Sequence, residues 1–281
     1  MLHSLFGGHE TAWRSWGEED SPRRRMLMIH CSLAHSGAWQ GVATRLAPEM
    51  EMRAFDLPGH GKSGDWHADV SFQEQSVEMA AGLLESWGDG PVDVLGHSFG
   101  ATVALRLAVE RPELVRSLAL YEPVFFTAGF RAFPGLQAEH DAKMAPYAEA
   151  YAAGDHEGAA RAFMSVWGDG RAWERLPEAQ REAFTARIPL IDAIRETNYG
   201  DPAGMLSRGR LTALTCPVLL MEGEVGPIFA ARINDALQVQ MPFADRVVIE
   251  DAAHMGPVTH AAQVADSVQT FLASEVVRSE A

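Results

Sequence analysis

Residues 96–100, Gly-His-Ser-Phe-Gly, constrain the fold of this chain more than any other segment. They place Ser98 between two glycines, directly after the apolar run 92–95 and directly before a helical run that starts at Ala101. A strand that passes through a sharp turn into a helix forces the central residue into a strained backbone conformation, which closes only between small neighbours. The sequence therefore predicts a strand–turn–helix unit that holds the Ser98 hydroxyl in the open.

Short apolar runs alternate with helical patterns along most of the chain. The predicted strands are 12–16, 26–29, 52–55, 92–95, 115–121, 218–221 and 246–250. The predicted helices between them are 38–46, 72–87, 98–109 and 258–272. This alternation predicts an α/β fold with a mostly parallel sheet and helices on both faces. Ligands of such sheets bind at the carboxyl ends of the strands.

Besides the Ser98 turn, four further segments of the chain carry recognisable motifs. They are His30-Cys31-Ser32-Leu33 after an early strand, the turn 56–63 (Asp-Leu-Pro-Gly-His-Gly-Lys-Ser), the buried strand around 216–221, and residues 251–256 (Asp-Ala-Ala-His-Met-Gly). Together with the turn, they span nearly the whole chain. On these motifs the chain resembles the α/β-hydrolase superfamily, specifically its serine-nucleophile members with a helical cap.

The segment 124–211 breaks the alternation, because it carries helical patterns around 136–151, 156–167 and 177–196 and no convincing strand. The resemblance implies that this segment is a helical cap inserted after the sixth strand, over an α/β-hydrolase core formed by residues 1–123 and 212–281. The residues alone are equally compatible with an ordinary helical subdomain.

Ser98 needs an adjacent base, because a serine hydroxyl is a poor nucleophile at neutral pH. His254 follows a strand and a turn of small residues, where the family keeps its catalytic histidine, and is the predicted base. A lone histidine in a loop is otherwise solvated or caps a helix.

The resemblance also implies an oxyanion hole of two backbone amides, those of Phe99 and Ser32. The chain departs from the family pattern at Cys31, where the loop before the second amide usually has glycine. Cys31 is either a small packing residue or a thiol that borders the pocket, and packing is the favoured interpretation.

The carboxylate that would orient His254 is not at the position where the family most commonly has it. The family usually has an aspartate after the seventh strand, three residues after a glycine, and this chain has Gly226 there. Some members carry the acid after the sixth strand, where Glu122 falls. Glu122 is therefore the predicted acid, with Glu224 and Glu222 as alternatives. Glu122 could instead cap a helix or pair with an arginine.

Charge and composition argue against several classes of binding partner. A net charge of −15 argues against nucleic acid and anionic membranes as partners. The first ten residues lack a signal-peptide pattern, no run is long enough to span a membrane, and two cysteines support no disulfide framework. The glycines and histidines match no dinucleotide, phosphate or metal motif. We expect a cytoplasmic enzyme that acts on a small molecule without a cofactor or metal.

The predicted activity is hydrolysis of an ester, thioester or lactone of a small, largely apolar substrate through an acyl-enzyme. Two alternatives stay open. One is a carbon–carbon bond hydrolase or perhydrolase on the same triad, which would direct basic cap residues at a substrate carboxylate: Arg131, Arg171, Arg187 or Arg195. The other is a non-catalytic binding protein of this fold, for which the missing aspartate and Cys31 are the argument.

Overall fold

The structure, a computed structural model, describes residues 1–18, 24–207, 209–241 and 243–280, with only the backbone for 275–280. The strands are β1 (Leu2–Phe6), β2 (His9–Trp16), β3 (Arg24–Ile29), β4 (Met50–Phe55), β5 (Val92–His97), β6 (Val115–Tyr121), β7 (Val218–Gly223) and β8 (Asp245–Ile249). Within the described ranges they form one eight-stranded sheet in the order β1-β2-β4-β3-β5-β6-β7-β8. Only the pairs β1–β2 and β2–β4 are antiparallel. The predicted α/β fold with a mostly parallel sheet is confirmed.

Helices cover both faces of this sheet. They are α1 (Gln40–Leu46), α2 (Phe72–Ser86), α3 (Phe99–Glu110), α4 (Phe126–Ala132), α5 (Leu136–Ala152), α6 (His156–Trp167), α7 (Glu178–Arg187), α8 (Pro189–Ala193), α9 (Arg195–Gly200), α10 (Ile228–Gln240), α11 (Gly256–Thr259) and α12 (Ala261–Glu280). Buried side chains of α1 and α12 share one apolar core, and those of α2, α3 and α10 share the other. None of the helices in the described ranges combines the length and apolarity that a membrane span requires.

Strand β1 at the sheet edge escaped the sequence prediction. Its Leu2 and Leu5 are 45% and 69% exposed, so the strand lacks a buried apolar run. The local signal was the pair Gly7-Gly8, whose φ angles of 57° and 86° form the two-residue turn of a hairpin with β2. Such a turn requires positive φ at both positions, which glycine adopts readily.

Some predicted helices are wrong in their boundaries. The single helical pattern over 177–196 is divided into α7, α8 and α9, with Pro189 as the first residue of α8. Proline lacks the N–H needed to continue the hydrogen bonds of α7. The predicted helix 258–272 is likewise two helices, α11 and α12, which meet at His260.

Helices α4 to α9 lie between β6 and β7, and no strand occurs among the residues described between 124 and 211. This part of the chain contributes most of the wall of the cavity at Ser98. The division into a core and a cap stays a prediction, and residue 281, the end of the predicted core, lies outside the described residues.

The buried carboxylate of Asp93 links the three neighbouring strands β3, β5 and β6. Asp93 in β5 is 1% exposed and accepts hydrogen bonds from Arg24 of β3 at 2.5 Å and from Arg116 and Ser117 of β6 at 2.7 and 2.6 Å. Burial alone would raise the pKa of Asp93, but the bonds from Arg116 and Arg24 outweigh it and hold the pKa below its usual value. The stabilisation is therefore present at neutral pH and is lost as the pH falls through the folded-state pKa.

We expect Asp93→Ala to lower the free energy of unfolding by about 3 kcal/mol, because it leaves two arginines without their shared carboxylate. Urea unfolding at pH 7 measures this change. The control is Asp266→Ala, which removes the half-exposed pair with Arg45 and should change the free energy of unfolding much less. Equal costs for the two variants would contradict the role given to Asp93.

Candidate active site

The turn between β5 and α3 has the strained geometry that its sequence predicts. Ser98 adopts φ 57° and ψ −120°, outside the regions that non-glycine residues normally occupy. A Cβ atom on Gly96 would lie 2.5 Å from the Ala101 Cα, and one on Gly100 would collide with the carbonyl oxygen of Ile29. Both glycines are required because backbone segments approach each other here, and Ser98 is thereby held at the carboxyl end of β5.

His254, in the loop between β8 and α11, lies against Ser98. Its Nε2 is 3.0 Å from the Ser98 Oγ, and its Nδ1 is 2.7 Å from Oε2 of Glu122. An ionised carboxylate only accepts hydrogen bonds, so Nδ1 carries the proton and Nε2 of the neutral ring accepts from the serine hydroxyl. The structure thus brings together the predicted nucleophile, base and acid.

Glu122 directly follows β6 and is 1% exposed. Its backbone has a φ of 44°, and its N–H donates to the Met221 carbonyl at 2.9 Å. Oε1 accepts the Gly223 N–H at 2.9 Å while Oε2 faces His254. Both carboxylate oxygens are therefore hydrogen-bonded, which offsets the cost of burying the charge.

The two alternative acids have other partners. Glu222 forms an ion pair with Arg246 at 2.6 Å and accepts from the Asn234 amide at 2.6 Å. Glu224 accepts the Asp251 N–H at 3.1 Å. Within the described residues, neither carboxylate forms a hydrogen bond with His254. Both are therefore placed as structural groups at the end of β7.

Gly226 stands where the commonest family pattern has its aspartate, and the structure shows why a glycine is needed there. A Cβ atom at this position would lie 2.7 Å from Glu122 Oε1 and 3.3 Å from the Gly223 carbonyl oxygen. The carboxylate of Glu122 fills the space that a side chain at 226 would use. An acid at one position excludes a side chain at the other.

The two predicted oxyanion amides belong to Phe99, which directly follows Ser98, and to Ser32. Phe99 is the first residue of α3, so its N–H has no acceptor within the helix. Ser32 lines the same cavity as Ser98, and none of the hydrogen bonds in the described part of the chain uses its amide. Cys31 is 3% exposed and borders the cavity, and burial raises its pKa to about 12, so its thiol is neutral.

Two buried histidines hold the loop that carries Ser32. His30 donates from Nδ1 to the Cys31 carbonyl at 2.7 Å and accepts the Leu57 N–H at 2.9 Å. His60 accepts the Leu33 N–H at 3.0 Å. Burial lowers the pKa of His30 to about 4 and that of His60 to about 3, so both stay neutral at pH 7. The loop is fixed without adding charge beside the oxyanion site.

His97 and Tyr121 fix the backbone that presents the base. The His97 Nε2–H donates to the His254 carbonyl at 2.8 Å, and the Tyr121 hydroxyl donates to the Ala253 carbonyl at 2.8 Å. Burial is the main cause that holds the pKa of His97 well below its usual value, so the ring stays neutral. The sequence analysis assigned this role to neither residue, and the only signal for Tyr121 is its place as the last residue of a predicted strand.

Ser98 and His254 line a cavity of about 840 Å³. Its wall is largely apolar, and the Trp167 ring packs edge-on against the His254 ring at 4.7 Å between centroids. The apolar side chains that line it include Val124, Phe126, Met144, Phe163, Met164 and Trp167. Three of the arginines considered from the sequence also line it, namely Arg171, Arg187 and Arg195, whereas Arg131 is not among the lining residues.

Comparisons with known proteins bear on the family and the fold of the chain. The model of the alpha/beta hydrolase family matches residues 26–267. A pimeloyl-[acyl-carrier protein] methyl ester esterase from Methylococcus capsulatus is 29% identical over 258 residues, which cover 89% of this chain and 94% of that protein. Lipase LipV from Mycobacterium tuberculosis is 43% identical over 107 residues, only 38% of this chain and 40% of that protein.

A solved structure extends the likeness to the whole fold. The enol-lactonase from Burkholderia xenovorans superposes with a TM-score of 0.72 over 97% of this chain and 100% of that chain. At 18% sequence identity, this similarity shows a shared fold.

Glu122→Gln should lower kcat by about 10³- to 10⁴-fold on any ester that the protein hydrolyses. The glutamine amide places an N–H opposite Nδ1 of His254 and favours the tautomer that cannot accept the serine proton. Steady-state kinetics measure the change, and thermal unfolding checks that the variant is folded. The control is Glu224→Gln, and the assignment is wrong if that variant loses more activity than Glu122→Gln.

The effect of Gly226→Asp on activity should be opposite in the natural chain and in a chain without Glu122. Gly226→Asp in the natural chain should lower activity, because the new side chain meets the Glu122 carboxylate. In the Glu122→Ala background the same substitution should raise kcat by about 10-fold or more, because space and a carboxylate are both restored. Equal effects of Gly226→Asp in the two backgrounds, measured by steady-state kinetics, would show that the two positions are independent.

Proposed function

The chain belongs to the alpha/beta hydrolase family and is a hydrolase, and from that membership we propose that it cleaves a carboxylic ester, thioester or lactone of a small, largely apolar substrate by serine catalysis without a cofactor. The observation that carries this proposal is the bridge formed by His254, 3.0 Å from Ser98 Oγ and 2.7 Å from Glu122 Oε2. Nucleophile, base and orienting acid are the three parts that acyl transfer from an ester requires.

In the proposed first step the Ser98 Oγ attacks the carbonyl carbon of the substrate while Nε2 of His254 takes the hydroxyl proton. Glu122 stabilises the imidazolium that forms and keeps its own charge. The carbonyl oxygen becomes an oxyanion that accepts from the amides of Phe99 and Ser32. Nε2 then donates its proton to the leaving alkoxide, thiolate or lactone oxygen, and an acyl-enzyme on Ser98 remains.

In the proposed second step a water molecule takes the place of the leaving group. Nε2 of His254 removes a proton from this water as its oxygen attacks the acyl carbon, and the same two amides hold the oxyanion. Collapse of the intermediate returns the proton to Ser98 Oγ and releases the acid.

The cavity and the relatives support an ester of modest size. A volume of about 840 Å³ is in the range of small-molecule sites, and its lining is mainly apolar. The relatives named above are a methyl ester esterase, a lipase and an enol-lactonase. Their names share cleavage of a carboxylic ester or lactone bond, which is the reaction class proposed for this chain.

One observation favours carbon–carbon bond hydrolysis as a second candidate. Arg171, Arg187 and Arg195 line the cavity, where a cation is able to receive the carboxylate of a diketo acid. Turnover of such acids combined with poor turnover of short nitrophenyl esters would favour it. The non-catalytic alternative is disfavoured, because the chain keeps the serine and histidine and adds a buried acid beside them.

Labelling with a fluorophosphonate tests the proposal directly. We expect the folded protein to form a covalent adduct at Ser98, because His254 activates its hydroxyl, and mass spectrometry of peptides locates it. Ser98→Ala should abolish labelling and lower kcat for a short nitrophenyl ester by at least about 10⁴-fold.

Ser86→Ala is a matched control, because the Ser86 hydroxyl bonds the Leu83 carbonyl in α2, away from the cavity. It should label and turn over like the natural protein. Absence of labelling together with absence of ester turnover would contradict the serine hydrolase proposal.

A further inference from the structure

The three arginines that line the cavity differ in their acidic neighbours. Arg171 forms an ion pair with Asp169 at 2.7 Å. Arg195 lies three positions after Asp192, and both line the cavity. Burial is the main cause that raises the pKa of Tyr147. The negative charge of Asp192 adds to this rise and the positive charge of Arg195 opposes it, so the two charges offset each other near the Tyr147 hydroxyl.

Arg187 resembles Arg195 in forming no ion pair within the described residues, and it differs in lying near His30 and His60 of the oxyanion loop. Its Nη1 makes a long 3.5 Å hydrogen bond to the Ala183 carbonyl, one turn earlier in α7. No carboxylate of the described residues lies within ion-pair distance of its guanidinium. Since a guanidinium has five N–H donors, most of its hydrogen-bonding capacity is unused.

The fold places this cation beside the oxyanion loop. Ile188, the next residue, is fully buried and packs in the same apolar cluster as Leu33, which directly follows Ser32. Leu190 lies against Gly59 in the neighbouring loop. Burial is the main cause of the low pKa of His30 and His60, and the positive charge of Arg187 adds to it for both.

No carboxylate of the described loop residues forms an ion pair with the guanidinium, although the negative charge of Asp56 opposes the effect of Arg187 at both His30 and His60. His30 and His60 are themselves neutral. Asp56, the buried carboxylate beneath the loop, accepts the Ser36 N–H at 2.7 Å on one oxygen and the Lys62 N–H at 2.8 Å on the other. Both of its oxygens are therefore in use. A positive charge faces a largely apolar cavity from the side that carries the proposed oxyanion amide of Ser32.

We propose that Arg187 binds a carboxylate of the substrate, and that the preferred substrates are esters of dicarboxylic acids in which one acid group is esterified and the other is free. A guanidinium receives a carboxylate through two parallel hydrogen bonds, which fixes orientation as well as charge. The apolar wall then holds the carbon chain between the free carboxylate and the scissile ester. This inference rests on the proposed function and narrows its substrate class.

The test compares two esters that differ only at the far end of the chain, methyl hydrogen adipate and methyl hexanoate. The measured quantity is the ratio of kcat/KM for the acidic ester to that for the neutral ester. We expect the natural protein to prefer the acidic ester and Arg187→Gln to lower the ratio by about 10-fold or more. Arg187→Lys keeps the charge and should recover part of the ratio. Homologues from succinate to suberate cover the range of chain lengths.

Arg171→Gln is the matched control, because Arg171 lines the same cavity but is paired with Asp169. Its ratio should stay within about twofold of the natural value. A ratio that Arg187→Gln leaves unchanged across the ester series, or that Arg171→Gln lowers equally, overturns the proposal. Turnover of methyl hexanoate by the natural protein tests the serine hydrolase proposal separately.

A binding measurement keeps the inference testable without catalysis. In the Ser98→Ala background, calorimetry should detect binding of methyl hydrogen adipate, and adding Arg187→Gln should weaken it by about 10-fold or more. Equal affinity in the two backgrounds, or no binding in either, would overturn the carboxylate subsite.

Discussion

The turn between β5 and α3 determines where every other group of the site has to be. Gly100 packs against the end of β3, and Gly96 packs against the start of α3, so Ser98 has a left-handed φ of 57° that the surrounding backbone imposes. The same turn makes Phe99 the first residue of α3, so its N–H has no acceptor within the helix. Base, acid and second amide come from loops after other strands, and each is positioned relative to this turn.

Glu122, the proposed acid, shows how the lack of an aspartate at position 226 can be compensated from a neighbouring strand. Glu122 and Gly226 follow neighbouring parallel strands, β6 and β7, so their loops meet at the same edge of the sheet. The carboxylate enters from the β6 side, and the absence of a side chain at 226 leaves room for it. Hydrogen bonds to Gly223 and His254 compensate the desolvation of the charge. Either loop could hold the acid, but not both.

The sequence was sufficient for most of the fold because strands, turns and helices alternate with clear local signals. Ser98 and His254 could be predicted since a strained turn and a histidine after a late strand are local patterns. The choice of Glu122 over Glu222 and Glu224 depended on contacts across strands, such as the pair of Glu222 with Arg246, which no local pattern encodes. The support that Tyr121 and His97 give to the His254 loop is also a property of packing, and so is the position of Arg187 near His30 and His60.

A crystal structure of the protein with a phosphonate bound covalently to Ser98 tests the central claim most directly, because the adduct resembles the tetrahedral intermediate. The account predicts a phosphonyl oxygen about 3 Å from the amide nitrogens of both Ser32 and Phe99. It also predicts that Nδ1 of His254 keeps its hydrogen bond to Glu122. A structure in which His254 turns to Glu222 or Glu224, or in which that oxygen lies away from the two amides, would contradict the account.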